Sequence, residues 1–326
     1  MSQTRVIFLG PKGTYSHQAA LQQFGTDSDV EYIPTQSIPQ CFDELEHDKE
    51  IAYSVVPLEN STNGQVVFSY DLLRDRMLQK DAKQIGKRVI PDLKVVGEQY
   101  VSITHCLLSA ASITSVDQLT QYKHIKIYSH PQVWGQVTNY INDLKTKCSN
   151  VKFETIDTSS TSGAVVIAKE EQEKLDPSNK DTINLAVASE TAGHLNKVNI
   201  VQHAVNDKLG NTTRFLVLQR QEEEAPSVKD DATKVSLLTF TIEQDEPGSL
   251  VDVLNILKDH SVNMSSIHSR PYNSASSPRK WQYVFFVEYT MDTNKTKMDA
   301  FYNQIADKCF QWCLWGTFPR NERYYQ

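Results

Sequence analysis

Ile51-Ala-Tyr-Ser-Val-Val-Pro-Leu-Glu-Asn-Ser-Thr-Asn-Gly64 begins as an apolar, β-rich run and closes in one carboxylate, two amides and two hydroxyls. That change of texture predicts a strand whose C-terminal end feeds a βα junction, where loops of α/β sheets meet ligands. A hydrophilic turn with a helix cap is the plainer alternative for the polar half. Working outward, the same alternation recurs. Strands are predicted at Arg5–Leu9, Val30–Ile33, Ile51–Val56, Val95–Leu108, His124–Tyr128, Val151–Ile156, Asn184–Val187 and Arg214–Leu218. Helical stretches lie between them at Ser16–Phe24, Ile38–His47, Gln132–Lys145, Ser162–Lys174 and Glu190–Leu195. Strands alternating with helices imply an α/β region with parallel strands joined by crossover helices.

The texture changes after Leu218. Gln221 to Ala232 holds Glu222, Glu223, Glu224, Asp230 and Asp231 against Lys229, and reads as an acidic surface linker, either a hinge or a passive spacer. Beyond it, Lys234–Glu243 is a strand, and Leu250, Val253, Leu254 and Leu257 mark one face of a helix. Strands at Val262–Arg270 and Trp281–Thr290 are separated by the turn-rich Asn273–Lys280. A helix near Lys297–Lys308 and the aromatic strand Gln311–Phe318 complete a ferredoxin-like βαββαβ order. The expected division is therefore 1–220, an α/β domain; 221–232, a linker; and 233–326, the βαββαβ domain.

Composition narrows the function classes. With 326 residues, two or more domains are expected. A formal charge of -7 leaves no global basic field for nucleic acid or an anionic membrane surface. No apolar run approaches the roughly 18 to 20 residues of a membrane span, and the predicted strand at Arg5 leaves no room for a targeting peptide, so a cytoplasmic location is expected. The five scattered cysteines suit reduced thiols. The nine histidines show no HExxH pairing and there is no CxxC, so no metal site is expected.

Several polar clusters follow strands and precede helices, and such loops converge at one edge of an α/β sheet. Gly10-Pro-Lys-Gly-Thr-Tyr-Ser16 is either an anion-receiving helix start or a plain βα turn; it lacks the spacing of the dinucleotide and P-loop motifs. Ser129-His-Pro-Gln132 and Ser159-Ser-Thr-Ser162 occupy equivalent places. Asn211-Thr-Thr-Arg-Phe215 opens the last strand of the region, where Arg214 has the planar fork to pair with a carboxylate and Thr213 a hydroxyl beside it. A surface salt bridge is the alternative for Arg214.

Together the stretches VVPLENSTNGQV, SHPQVWGQV, LGNTTRFLVL and WCLWGTFPRNERYY resemble prephenate dehydratases, the fungal members in particular, over about residues 5 to 325. The resemblance implies a catalytic domain of two α/β lobes, similar to periplasmic binding proteins, followed by a C-terminal ACT domain. It implies conversion of prephenate to phenylpyruvate, carbon dioxide and water without a cofactor. The family's Thr-Arg-Phe motif falls on Thr213, Arg214 and Phe215, which implies catalytic roles for Thr213 and Arg214. Glu59, Asn60, Ser61, Thr62, Gln132, Ser160, Thr161, Ser162 and Phe215 would contact substrate. L-phenylalanine is the implied effector, at Gly248-Ser249-Leu250 and His268-Ser269-Arg270-Pro271, the last departing from the family by His268 in place of Glu. A homodimer or dimer of dimers is implied. Arogenate dehydratase in the same fold, and a non-catalytic amino-acid sensor, are the competing readings; the intact Thr213-Arg214-Phe215 speaks against the sensor.

Overall fold

The computed structural model describes residues 3–176, 181–226, 233–243, 246–273, 281–290 and 295–325. Residues 227–232 of the expected linker and 274–280 of the expected turn lie outside them. The first sheet runs in the order Val30–Thr35, Thr4–Leu9, Ile51–Asn60, Thr212–Arg220, Leu93–Ser102. Helix Ile38–His47 shows why its sequence crosses over here. Ser37 caps its N-terminus by accepting from the Gln40 amide, and Cys41, Phe42 and Leu45 form its buried face.

The second sheet runs Lys152–Asp157, His124–Ser129, Thr182–Ala188, Cys106–Ser109, Asn199–Gln202. The chain thus forms two α/β lobes and crosses between them twice. The first crossing corrects the single strand expected over Val95–Leu108. It is broken between Ser102 and Cys106, where the Ile103 amide donates to the Asn211 carbonyl on the returning segment. The second crossing corrects the expectation of wholly parallel sheets, because the returning strand Thr212–Arg220 is antiparallel to both neighbours. The helix expected over Gln132–Lys145 is likewise split into Pro131–Trp134 and Thr138–Lys147. Gly135 at the break is a poor helix former.

The third sheet has the order Asn263–Tyr272, Gln282–Thr290, Lys234–Thr241, Gln311–Pro319, with helices Ser249–Asp259 and Lys295–Lys308 between strands. This is the βαββαβ ACT arrangement. Its free side is extended by a hairpin of the first lobe, Lys83–Ile85 with Arg88–Ile90, through a parallel contact of Trp312 with Arg88. One apolar cluster runs without interruption from Phe42, Leu73 and Val95 of the first lobe to Val235, Phe286, Trp315 and Phe318 of the ACT domain. At Gly316 a Cβ would lie 2.1 Å from the Val95 carbonyl oxygen, so only glycine admits this close crossing of strands. The ACT domain is packed onto the first lobe.

Among the described residues no helix is long and apolar enough to cross a membrane, and all five cysteines are buried and unbonded.

Candidate active site

The two lobes enclose a cleft of about 530 Å3. Thr213 and Asn60 are register partners on adjacent antiparallel strands, and both line it. The Asn60 side-chain amide donates to Thr213 Oγ1 at 2.9 Å and to Asn211 Oδ1 at 2.7 Å. Asn60 Oδ1 in turn accepts from the backbone amides of Thr62 and Asn63, which fixes which end of the side chain faces Thr213. Asn60 fills one acceptor position on Thr213 Oγ1, which leaves the hydroxyl proton free to be donated to another acceptor, and Thr213 lines the cleft.

From there hydrogen bonds cross between lobes. Asn211 donates to Gln136 Oε1, which lies 3.3 Å from His105 Nε2, and His105 Nδ1 meets the Tyr15 hydroxyl at 2.9 Å. Burial holds the His105 imidazole down at about 4, against a hydrogen bond to Gln136 Oε1 that pulls it up, so the ring is neutral at physiological pH.

None of the described residues lining the cleft is Lys, Arg, Asp or Glu. Positive potential comes instead from helix starts. Tyr15–Phe24, capped by Thr14, and Thr161–Glu173, capped by Ser160, both present their N-terminal turns here. The loop that delivers the first of these is clasped to the second lobe. Ser162 Oγ donates to the Lys12 carbonyl and Ser189 Oγ to the Gly13 carbonyl at 2.5 and 2.8 Å. Gly13, at φ 88°, has no room for a Cβ, which would come 2.6 Å from Ser162 Oγ.

The expected contact residues therefore divide. Asn60, Gln132, Ser160, Thr161 and Thr213 line the cleft. Ser162 does not: it is buried and joins the lobes. Phe215 is buried among Val6, Phe8 and Val217. Thr62 is an exposed turn residue, and Ser61 faces a separate cavity of about 850 Å3 lined by Gln18, Tyr100, His194 and Arg323. That cavity is larger, but of the expected residues only Ser61 lines it.

Arg214 and Glu59 need a larger correction. They are the register partners next to Thr213 and Asn60, so strand alternation turns them to the opposite face. Arg214 is buried and held by Glu59 at 2.8 Å, Glu98 at 2.7 Å and Glu288 at 2.8 Å. Burial alone disfavours its charge, and Glu288 and Glu98 more than reverse this. Burial also pushes the Glu59 carboxyl up, but the His268 ring nitrogen 3.6 Å away and the hydrogen bond from Arg214 outweigh it and hold the group at about 2. The Arg214 fork is thus spent on protein carboxylates and does not reach the cleft.

The effector motifs are separated in kind. Gly248, at φ 92°, opens helix Ser249–Asp259, followed by Ser249 and Leu250. His268, Ser269, Arg270 and Pro271 lie on the sheet's edge strand. Within the chain this strand docks on the first lobe: Arg270 grips Asp71 at 2.7 and 3.1 Å, and Arg74 donates to the Pro271 carbonyl.

Sequence reading did not anticipate Tyr15, His105, Gln136 or Asn211 as cleft residues by themselves. Asn211, Tyr15 and Gln136 sat inside quoted stretches, but His105 carried no local signal, because only the inter-lobe crossing brings it in.

A polar cleft between two α/β lobes, with an ACT domain packed on one of them, defines the architecture of this chain. The family model described as prephenate dehydratase matches residues 6–223. A probable prephenate dehydratase of Saccharomyces cerevisiae is 56% identical, covering 98% of each chain. The chain belongs to the prephenate dehydratase family. A solved quorum-quenching acylase, GqqA, superposes with TM-score 0.73 at 21% identity over 99% of both chains. The crystal structure of a prephenate dehydratase from Arthrobacter aurescens in complex with L-Phe gives 0.70 at 19% identity, over 97% of this chain and 90% of that one. At such identities the likeness is one of fold, and a fold shared by differently described enzymes leaves the chemistry to the site.

Proposed function

We propose that this chain converts prephenate to phenylpyruvate, carbon dioxide and water, in the cleft and with Thr213 as the donor to the departing hydroxyl. The observation that carries the reading is the Asn60 to Thr213 hydrogen bond at the cleft wall, in which Thr213 Oγ1 accepts and keeps its own proton available for donation. Prephenate carries two carboxylates and a ring hydroxyl para to the carbon that loses carbon dioxide. As the ring-to-carboxylate bond breaks, its electron pair enters the ring and the ring-to-oxygen bond breaks, leaving an aromatic product. Negative charge grows on the leaving oxygen, and a donor held 2.7–3.1 Å from it stabilises the transition state. Threonine is too weak an acid to do more than this, so the proton that completes water is replaced from solvent. Much of the acceleration falls to orientation and fixed dipoles.

The substrate carboxylates are assigned to the helix starts after Thr14 and Ser160 and to the amides of Gln132 and Asn60. Arg214, first expected to clamp them, is assigned a positioning role behind the strand. No cofactor takes part in this scheme.

We further propose the division at 1–220, 221–232 and 233–326, with L-phenylalanine acting on the ACT domain at Gly248–Leu250 and the strand bearing Ser269. The exposed edge strand, with Met264 and Ile267 outward, suits pairing with a second copy in a dimer or dimer of dimers. The test is phenylpyruvate formation by the purified chain, with arogenate run in parallel to separate the amino analogue.

A further inference from the structure

Thr213 and Asn60 meet on the cleft side of two strands, and Arg214 and Glu59, one step along each, meet on the other side. Each of this second pair is held by the ACT domain. Arg214 is bound by Glu288 at 2.8 Å, and Glu59 Oε2 lies 3.6 Å from His268 Nε2. The other ring nitrogen of His268 is 2.5 Å from Gln65 Nε2, and Gln65 lines the cleft. The His268 ring also rests edge-on against Tyr70 at 5.1 Å.

We propose that Glu288 and His268 of the ACT domain are positioning residues for Thr213 and Asn60. The inference rests on the dehydratase reading for its activity readouts. Glu288, Glu98, Arg214 and Arg320 form one buried ionic cluster, with Arg320 at 3.2 Å from Glu98 and 3.8 Å from Glu288. In a low-dielectric setting such a cluster is stiff, because each charge depends on the position of the others. A shift of the strand Gln282–Thr290 must therefore move Arg214, and through one peptide unit Thr213. A shift of the strand Asn263–Tyr272 must in the same way move Glu59 and Asn60. Both halves of the donor pair are set from behind by one domain, on adjacent strands of its sheet. A ligand that alters that sheet has a route to the reacting proton without entering the cleft.

The test uses the full chain carrying Glu288→Gln or His268→Gln, with Glu288→Asp as the conservative variant. The expected result is a kcat lowered about 3- to 30-fold for Glu288→Gln, the size of a coupling residue's effect, with KM within about twofold, as for an interaction that matters in the transition state. His268→Gln changes in the same direction by less, and Glu288→Asp regains part of the loss. Inhibition by phenylalanine weakens in both Gln variants. Deuterium uptake at the Thr213 to Phe215 amides rises in both, a readout that needs no substrate. Wild-type kcat, undiminished phenylalanine response, or unchanged exchange at these amides in a folded variant overturns the inference. If Glu288→Gln does not fold, His268→Gln, at a side chain 22% exposed, decides on the same measurements. Absence of wild-type turnover on prephenate overturns the dehydratase reading alone, and the exchange measurement still decides the positioning role.

Discussion

The Thr213 hydroxyl accepts a 2.9 Å hydrogen bond from the Asn60 amide across two antiparallel strands, and this contact holds its oxygen at the cleft wall with the proton free to donate. Asn60 is itself fixed by two backbone amides of its own turn. Replacing Asn60 by Ala frees the hydroxyl to rotate. The expected kcat loss is about 10- to 100-fold, below the roughly 100- to 1,000-fold of a donor that touches the reacting oxygen. Steady-state kinetics on prephenate checks it, and a loss confined to KM would count against the positioning of Thr213.

Arg214→Met is expected to destabilise the fold by about 3–5 kcal/mol, the usual result of leaving buried carboxylates unpaired. Arg214→Lys keeps a charge but lacks the fork that reaches Glu59, Glu98 and Glu288 together. It should fall between Met and wild type in urea unfolding. A substrate clamp would instead show its effect in KM with stability unchanged.

Gly316→Ala should cost about 1–3 kcal/mol or more, as overpacking does, because the added methyl has a backbone oxygen in its place rather than a side chain that can rotate away. Thermal unfolding measures it. A neutral result would mean that the ACT strand is free to lift from Val95.

Stability should fall as the pH is lowered from about 6.5 toward 4. Burial holds His17, helped by Lys12, and His105 at about 4, against 6.5 for a free imidazole. Between these values the unfolded chain binds more protons than the folded one, so stability is present above 6.5, lost on the way to 4, and flat below that as far as these groups are concerned. His105→Gln should make this limb shallower. Urea midpoints at several pH values test the slope, and an unchanged slope in the variant would remove His105 from the account.

Much of the architecture was legible because it rests on local pattern. The βαββαβ order after Lys234 follows from strand and helix periodicities that tertiary contacts reinforce. Helix Val67–Met77 was not legible, since it buries Tyr70, Leu73, Arg76 and Met77 among residues with no clean apolar stripe. The broken strand at Ser102–Cys106 was missed because apolar residues continue through a lobe crossing. At the site, polar βα loops announced Asn60, Gln132 and Ser160, and the polar opening of the last strand announced Thr213. The same motifs misplaced Arg214 and Glu59, whose face is decided by the period of two along a strand and by a domain that sequence proximity does not reveal. His105 is brought in by the crossing alone.

The central claim is that Thr213 donates the hydrogen bond that eases hydroxide from prephenate. The direct measurement is the rate of phenylpyruvate formation by wild type, Thr213→Ser and Thr213→Ala, each checked for native unfolding behaviour. Wild type should turn over, Ser should retain a large part of kcat, and Ala should lose about 100- to 10,000-fold, the range for a missing proton donor. Wild-type kcat in a folded Thr213→Ala protein would contradict the account.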